Sequence, residues 1–208
     1  MDDEDVVKAL LERHGTTYAE EAGIGLTDKP APLWQLLVLS LLLSARISSE
    51  IAVAAARELF RAGYRTPRKM REASWQDRVD ALGRGHYRRY DERTATQLGE
   101  MADLVLDEYG GDLRRLHEES ADVEAGLQRF KGIGPAGAAI FCREVQAVWT
   151  DLAPYVDGLA ARGAGRLGLP TSADALAALV SREDLPRLVA GCVRASRDKG
   201  VVEDARGT

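Results

Sequence analysis

The chain is short of cysteine, with two among 208 residues, Cys142 and Cys192. Two thiolates cannot hold a four-cysteine iron–sulfur cluster, and no Cys-x-x-Cys pair offers zinc a site. They read as buried thiols in a reducing compartment. Long apolar runs are also missing. The longest, residues 33–47, is broken by Gln35, Ser40, Ser44 and Arg46 and falls short of the ~18 residues a membrane span needs. Met1-Asp2-Asp3-Glu4-Asp5 is acidic and lacks the basic start of a signal peptide. A cytoplasmic protein with no membrane contact is therefore expected. Aromatics make up 6%, and no Asn-Gly hairpin or sustained alternation signals a sheet. His14, His86 and His117 have no ligand spacing, so no metal site is expected. No Walker motif is present, and Gly83-Arg84-Gly85 does not open a strand–turn–helix unit.

Helix formers dominate what remains. Ala, Leu, Arg and Glu are abundant and β-branched runs are few. About ten helices are expected, making the chain all-α. The first covers residues 3–14, with Val6, Leu10 and Leu11 on one face. Residues 33–45 are apolar on nearly every side and should lie at the centre of the fold. Ser48 or Ser49, Thr66 before Pro67, Ser74, Ser120 and Thr171-Ser172 read as helix caps. A long helix over residues 90–109 is closed by Gly110-Gly111. Helices are further expected over 121–130, 135–148, from about 157, over 172–180 and over 182–196. The polar tail from Asp198 is expected to fray. Trp34, Trp75 and Trp149 are assigned to packing.

A net charge of −5 argues against a polyanionic partner, but the average conceals segregation. Residues 61–93 hold ten Lys and Arg against five Asp and Glu, a local excess of +5. Such a segment can attract phosphates, or it can be a solvated surface with no partner.

The most informative stretch is Leu127-Gln128-Arg129-Phe130-Lys131-Gly132-Ile133-Gly134-Pro135-Ala136-Gly137-Ala138-Ala139-Ile140. Gly132 and Gly134 can take positive φ and leave the backbone uncovered. Ile133 between them can plug the turn into the core. Pro135 suits a first helical position, where unpaired amides favour an anion. Such a hairpin can grip a DNA phosphate without reading sequence. The alternative is a tight helix connection that needs glycine for geometry alone.

This hairpin resembles that of the endonuclease III and adenine glycosylase family, Leu-x-Gly-Val/Ile-Gly-x-Lys/x-Thr-Ala. Downstream, residues 156–169, Val-Asp-Gly-Leu-Ala-Ala-Arg-Gly-Ala-Gly-Arg-Leu-Gly-Leu, resemble the family's Val-Asp-Thr-His-Val-x-Arg-Leu-x-x-Arg-Leu-Gly-Leu. Upstream, residues 32–46 resemble the helix that ends Leu-Ser-Ala-Gln, and Arg93-Thr94-Ala95 sits where Lys/Arg-Ala often follows a Gly-rich loop. Together the four landmarks cover about residues 32–170. The resemblance implies a two-lobed, all-α helix-hairpin-helix glycosylase fold. Residues 1–31 would pack with the C-terminal lobe, 32–150 form a six-helix lobe ending in the hairpin, and 151–208 carry the catalytic aspartate.

The same resemblance implies site residues. Asp157 matches the family's aspartate, whose charge stabilises an oxocarbenium-like state; it also reads as a plain N-cap. The family's nucleophilic lysine falls at Ala136, so the expected enzyme is monofunctional, with water as acceptor. Lys131, Gly132, Ile133, Gly134 and Ala136 would form the DNA-binding hairpin. Arg46 aligns with the intercalating glutamine. His86, Tyr87, Arg88, Arg89 and Arg93 fall at a second wedge loop that contacts DNA, or form a charged surface turn. The Thr-His pair after the aspartate is here Gly158-Leu159, and Gly158, Gly163 and Gly165 weaken that helix by ~1 kcal/mol each against alanine. The family's four-cysteine cluster is absent. No cofactor is expected, a monovalent cation at the hairpin being the one inorganic ligand left open. The implied partner is double-stranded DNA with a lesion or mismatch, bound by a monomer in the cytoplasm, nucleoid-associated if bacterial. A catalytically silent DNA-structure binder and a lyase using another amine are the alternatives.

Overall fold

The computed structural model describes residues 2–207, and the described residues contain no strand. The chain divides into two compact units, residues 19–141 and residues 2–18 with 142–207. The boundaries expected from sequence, at 31 and 150, differ from these.

A short turn of helix, α2 (Tyr18–Glu21), spans the first boundary, and the larger unit is built on α3 (Pro30–Leu43). Leu33, Trp34, Leu36, Leu37, Val38, Leu39 and Leu42 of α3 are fully buried. Each such side chain contributes roughly 1.5–3 kcal/mol on removal from water. The one buried hydroxyl on this helix, Ser40, donates to the Leu36 carbonyl at 2.8 Å, so it costs little. Around α3 stand α4 (Ser49–Arg61), α5 (Pro67–Glu72), α6 (Trp75–Arg84), α7 (Asp91–Tyr109), α8 (Leu113–Glu119) and α9 (Val123–Leu127). Local chemistry sets their limits. Ser48 accepts from the Ile51 amide at 3.3 Å, and Thr66 accepts from Lys69 at 3.2 Å. Ser74 and Asp77 form a reciprocal capping box. Gly110, at φ 61, closes α7 in the left-handed region. The helix α8 was not expected from sequence; its N-cap Asp112 is held by Arg114.

α10 (Pro135–Val145) runs from the larger unit into the smaller one. The smaller unit holds α1 (Asp3–His14), α11 (Gly158–Leu167), α12 (Ala173–Ala177), α13 (Leu185–Arg197) and α14 (Lys199–Arg206). Two arginines of α13 cap α1: Arg187 donates to the Leu11 carbonyl at 3.2 Å and Arg194 to that of His14 at 2.9 Å. They satisfy carbonyls that a helix end otherwise leaves unpaired. The tail from Asp198 is not frayed. It forms α14, which buries Val201 and Ala205 and is tied to α1 by Asp204, paired with Arg13 at 2.6 Å and His14 at 2.8 Å. Apolar positions at 201 and 205, one helical turn apart, are the signal that the polar composition obscured.

The glycines of α11 also read differently in three dimensions. A Cβ on Gly163 would lie 1.7 Å from the Cys192 carbonyl oxygen of α13. That glycine permits close helix contact and is not simply a weak helix former. Gly158, by contrast, has nothing within 4 Å of a Cβ. Trp34 and Trp149 are buried as expected, but Trp75 is 41% exposed, its indole donating to Thr96 at 3.1 Å. No helix among the described residues is long and apolar enough to cross a membrane.

Candidate functional site

The hairpin follows from three residues. Gly132 has φ 95, and a Cβ there would meet Gln97 and Leu41 at 2.8 Å. Glycine is required both for conformation and for space. Ile133 is 3% exposed, and its amide closes the turn on the Phe130 carbonyl at 3.0 Å. Gly134 departs from expectation. It is not left-handed, and nothing lies within 4 Å of its Cβ position. What glycine supplies there is bare backbone on an open surface.

α10 then starts at Pro135. Ala138 is the first residue whose amide turns back into the protein, donating to the Gly134 carbonyl at 3.0 Å. Among the described residues no acceptor takes the amides of Gly134, Ala136 or Gly137. Gly132, Pro135 and Ala136 are exposed, Gly134 is half-buried and Gly137 is buried, so the helix start is uncovered over residues 134–136. That is the electrostatic environment an anion prefers. Lys131, also exposed, pairs with Glu100 of α7 at 3.3 Å. A Cβ at Gly137 would stand 3.5 Å from the Ser44 Cβ, so the hairpin helix lies beside the end of α3. Arg46 follows two residues later, exposed in a bend.

The turn after α6 places the second group. Gly85 approaches α4 so closely that a Cβ would lie 2.4 Å from the Ala55 Cα. His86 is exposed at φ 64, a left-handed backbone uncommon outside glycine. Tyr87 must be corrected. It is 1% exposed, its hydroxyl 3.2 Å from that of Thr94, so its ring fills the core and cannot stack on a base. Burial pushes its phenol above the ordinary value, against the opposing hydrogen bond from Thr94. Arg88, Arg89 and Arg93 are exposed. Arg89 and Arg93 both stand over the Tyr90 ring, 5.2 and 5.5 Å from its centre. Sequence reading missed Tyr90 as the platform for these two cations.

Asp157 caps α11. Its Oδ1 accepts from the Ala160 amide at 3.0 Å. Its Oδ2 accepts from Arg143 Nη1 at 2.6 Å, with the two side chains 8% and 16% exposed. Sequence reading missed Arg143 altogether. It lies on α10 in a run of apolar residues, and only the helix period shows that it shares no face with the hairpin glycines. Gln146 fastens the same corner. Its Nε2 donates to the carbonyls of Arg143 and Tyr155, and its Oε1 accepts from the Tyr155 amide, all at 2.9 Å. Gly158 and Leu159, which follow Asp157, offer no polar side chain.

Among the described residues no three His, Cys, Asp or Glu side chains gather as a metal-binding group. A cluster held by four cysteinates does not fit a chain with two cysteines, both buried.

No protein-family model and no curated protein sequence matches the chain. Two solved structures resemble it. One is a trapped endonuclease III–DNA covalent intermediate in an estranged-adenine complex. It is 16% identical over 93% of this chain and 86% of that one, with a TM-score of 0.51. The other is a non-covalent endonuclease III–DNA complex, 18% identical over the same shares, with a TM-score of 0.49. At these identities the likeness concerns architecture, and it spans nearly the whole chain: this protein has the all-helical, endonuclease III-like helix-hairpin-helix fold.

Proposed function

We propose that the chain binds double-stranded DNA through the 131–137 hairpin and hydrolyses the N-glycosidic bond of a damaged or mispaired base. The observation that carries the reading is the hairpin: left-handed Gly132, bare Gly134, and amides at 134 and 136 that no acceptor takes at a helix start exposed at Pro135 and Ala136. That combination suits a backbone phosphate, which it holds without regard to sequence. The likeness to a fold solved on DNA agrees with it.

In the proposed reaction the C1′–N bond breaks and its electron pair leaves with the base. C1′ becomes cationic, and the Asp157 carboxylate stabilises that charge. A water oxygen then bonds C1′, and the proton it loses balances the negative charge carried off by the base. An abasic site remains. Ala136 occupies the position of the family's lysine, so the route has no amine to form a Schiff base. Arg46, His86, Arg88, Arg89 and Arg93 are the proposed wedge and backbone contacts; buried Tyr87 is not. We take the working state as a monomer in the cytoplasm or nucleoid with no resident cofactor.

The test is base release from duplexes carrying a panel of lesions and mismatches, read after alkali. The wild-type chain should release at least one base, and Asp157→Asn should slow release by roughly 10²–10³-fold while still binding. Equal rates in the two proteins would remove Asp157 from the reaction. Trapping of a covalent adduct with borohydride would instead indicate a lyase with an unrecognised amine. One observation favours a second reading, a silent binder of bent or damaged duplex: the only carboxylate proposed for the chemistry is already paired with Arg143. That reading predicts lesion-enhanced, salt-sensitive binding without product.

A further inference from the structure

The geometry points to Arg143 as a lock on Asp157, which sets the rate of the reaction proposed above and rests on that reading. The contact is not a loose surface pair. Nη1 lies 2.6 Å from Oδ2, and the side chains are 8% and 16% exposed. The other carboxylate oxygen is held by the Ala160 amide at 3.0 Å. The backbones on either side are stitched together by Gln146, itself 2% exposed, through the Arg143 carbonyl and both backbone groups of Tyr155. With the backbones held, the pair opens only by side-chain rotation.

A carboxylate helps glycosidic cleavage through the field it projects on C1′ as positive charge grows there. A guanidinium within hydrogen-bond distance cancels much of that field, the more so where water is scarce. With Arg143 in place, Asp157 is a well-positioned but neutralised group. Hydrolysis proceeds from the minority of encounters in which the pair is open. Arg143 is thus a positioning residue acting through Asp157, and its effect on rate is opposite in sign to that of a supporting contact.

The experiment is single-turnover base release at saturating protein on the lesion panel, with duplex affinity measured in parallel by fluorescence anisotropy. The proteins are wild type, Arg143→Gln, Arg143→Asn and Arg143→Lys. Glutamine and asparagine keep a donor but lose the charge. The lock predicts release roughly tenfold or more faster in the neutral variants, with Kd within about twofold of wild type. Arg143→Lys, which retains the charge, should release base more slowly than Arg143→Gln. Release by a neutral variant where wild type gives none supports the lock equally. A neutral variant no faster than an active wild type overturns the lock and leaves the glycosylase reading standing. No release from any of the four proteins overturns both. Thermal unfolding identifies which neutral variant is folded; if neither keeps a cooperative transition, Arg143 is a structural residue and the lock falls.

Discussion

Gly132 and Gly134 stand two residues apart and serve different ends. The backbone at Gly132 is left-handed, and any Cβ would press on Gln97 and Leu41. Gly132→Ala should therefore lose about 1–3 kcal/mol of stability and weaken DNA binding as the turn shifts. Gly134→Ala meets no atom within 4 Å and should unfold like wild type. Denaturant titration of the two variants checks the contrast; equal loss in both would contradict it. Cys192 offers a second check. Burial pushes its thiol up to about 12, so almost no thiolate exists at neutral pH. Iodoacetamide at pH 8 should leave Cys192 unmodified in the native protein and label it once urea unfolds the chain. Labelling at the native rate of an exposed thiol would contradict the packing of α13.

How much of the site was legible at this scale depended on whether a residue's role was local. The turn at Gly132 and Ile133 and the N-cap at Asp157 close on neighbours within four positions, and the sequence pattern carried them; the crowding of Gly132 by Gln97 and Leu41 is long-range and was not legible. Tyr87 was misread because its fate depends on Thr94 and the core beneath. Arg143 was missed because its partner lies fourteen residues away, across a loop whose path no local rule fixes.

Among the elements, α11 gives the sharpest prediction. Gly163→Ala would drive a methyl into the Cys192 carbonyl and should cost several times the ~1 kcal/mol typical of an average mutation. Gly158→Ala, in open space at the first helical position, should instead stabilise by about 0.4–1 kcal/mol. Helix propensity alone predicts gain at both sites, so opposite signs in thermal unfolding distinguish packing from propensity. The seam between α1 and α14 adds a pH dependence. Asp204 is held below the ordinary carboxylate value, first by its hydrogen bond with His14 and then by Arg13. A depressed value means that its contribution is present above the unfolded value of 3.8 and is lost as pH falls through the folded one. Wild type should therefore be more stable than Asp204→Asn near neutrality, and the gap should close below about pH 3.8. A gap that persists at lower pH would place the effect elsewhere. The helix α14 itself escaped the sequence reading because its charge pairing and two buried positions depend on α1, at the opposite end of the chain.

For the molecule as a whole, the net charge of −5 is a poor guide. The basic excess of residues 61–93 is partly spent internally. Arg61 and Arg84 share Glu58, Lys69 pairs with Glu72, and Arg71 reaches Asp103 and Asp107. Arg78 is buried against the carbonyls of Met70 and Ala73. Arg88, Arg89 and Arg93 join no ion pair among the described residues, which concentrates usable charge at the turn after α6. Replacing all three with glutamine should flatten the dependence of log K on log salt by about 2–3 units of slope. The all-helical class was legible from composition and caps, whereas the internal consumption of charge was not, because it depends on which helices meet.

The proposed DNA binding depends most on the amides at the start of α10. The direct measurement is a ¹H–¹⁵N NMR titration of the full chain with a lesion-bearing duplex at low salt. The amides of Gly134 and Ala136 should show the largest shifts, with smaller changes at Arg88, Arg89 and Arg93. Saturable binding that leaves those two amides unmoved would contradict it.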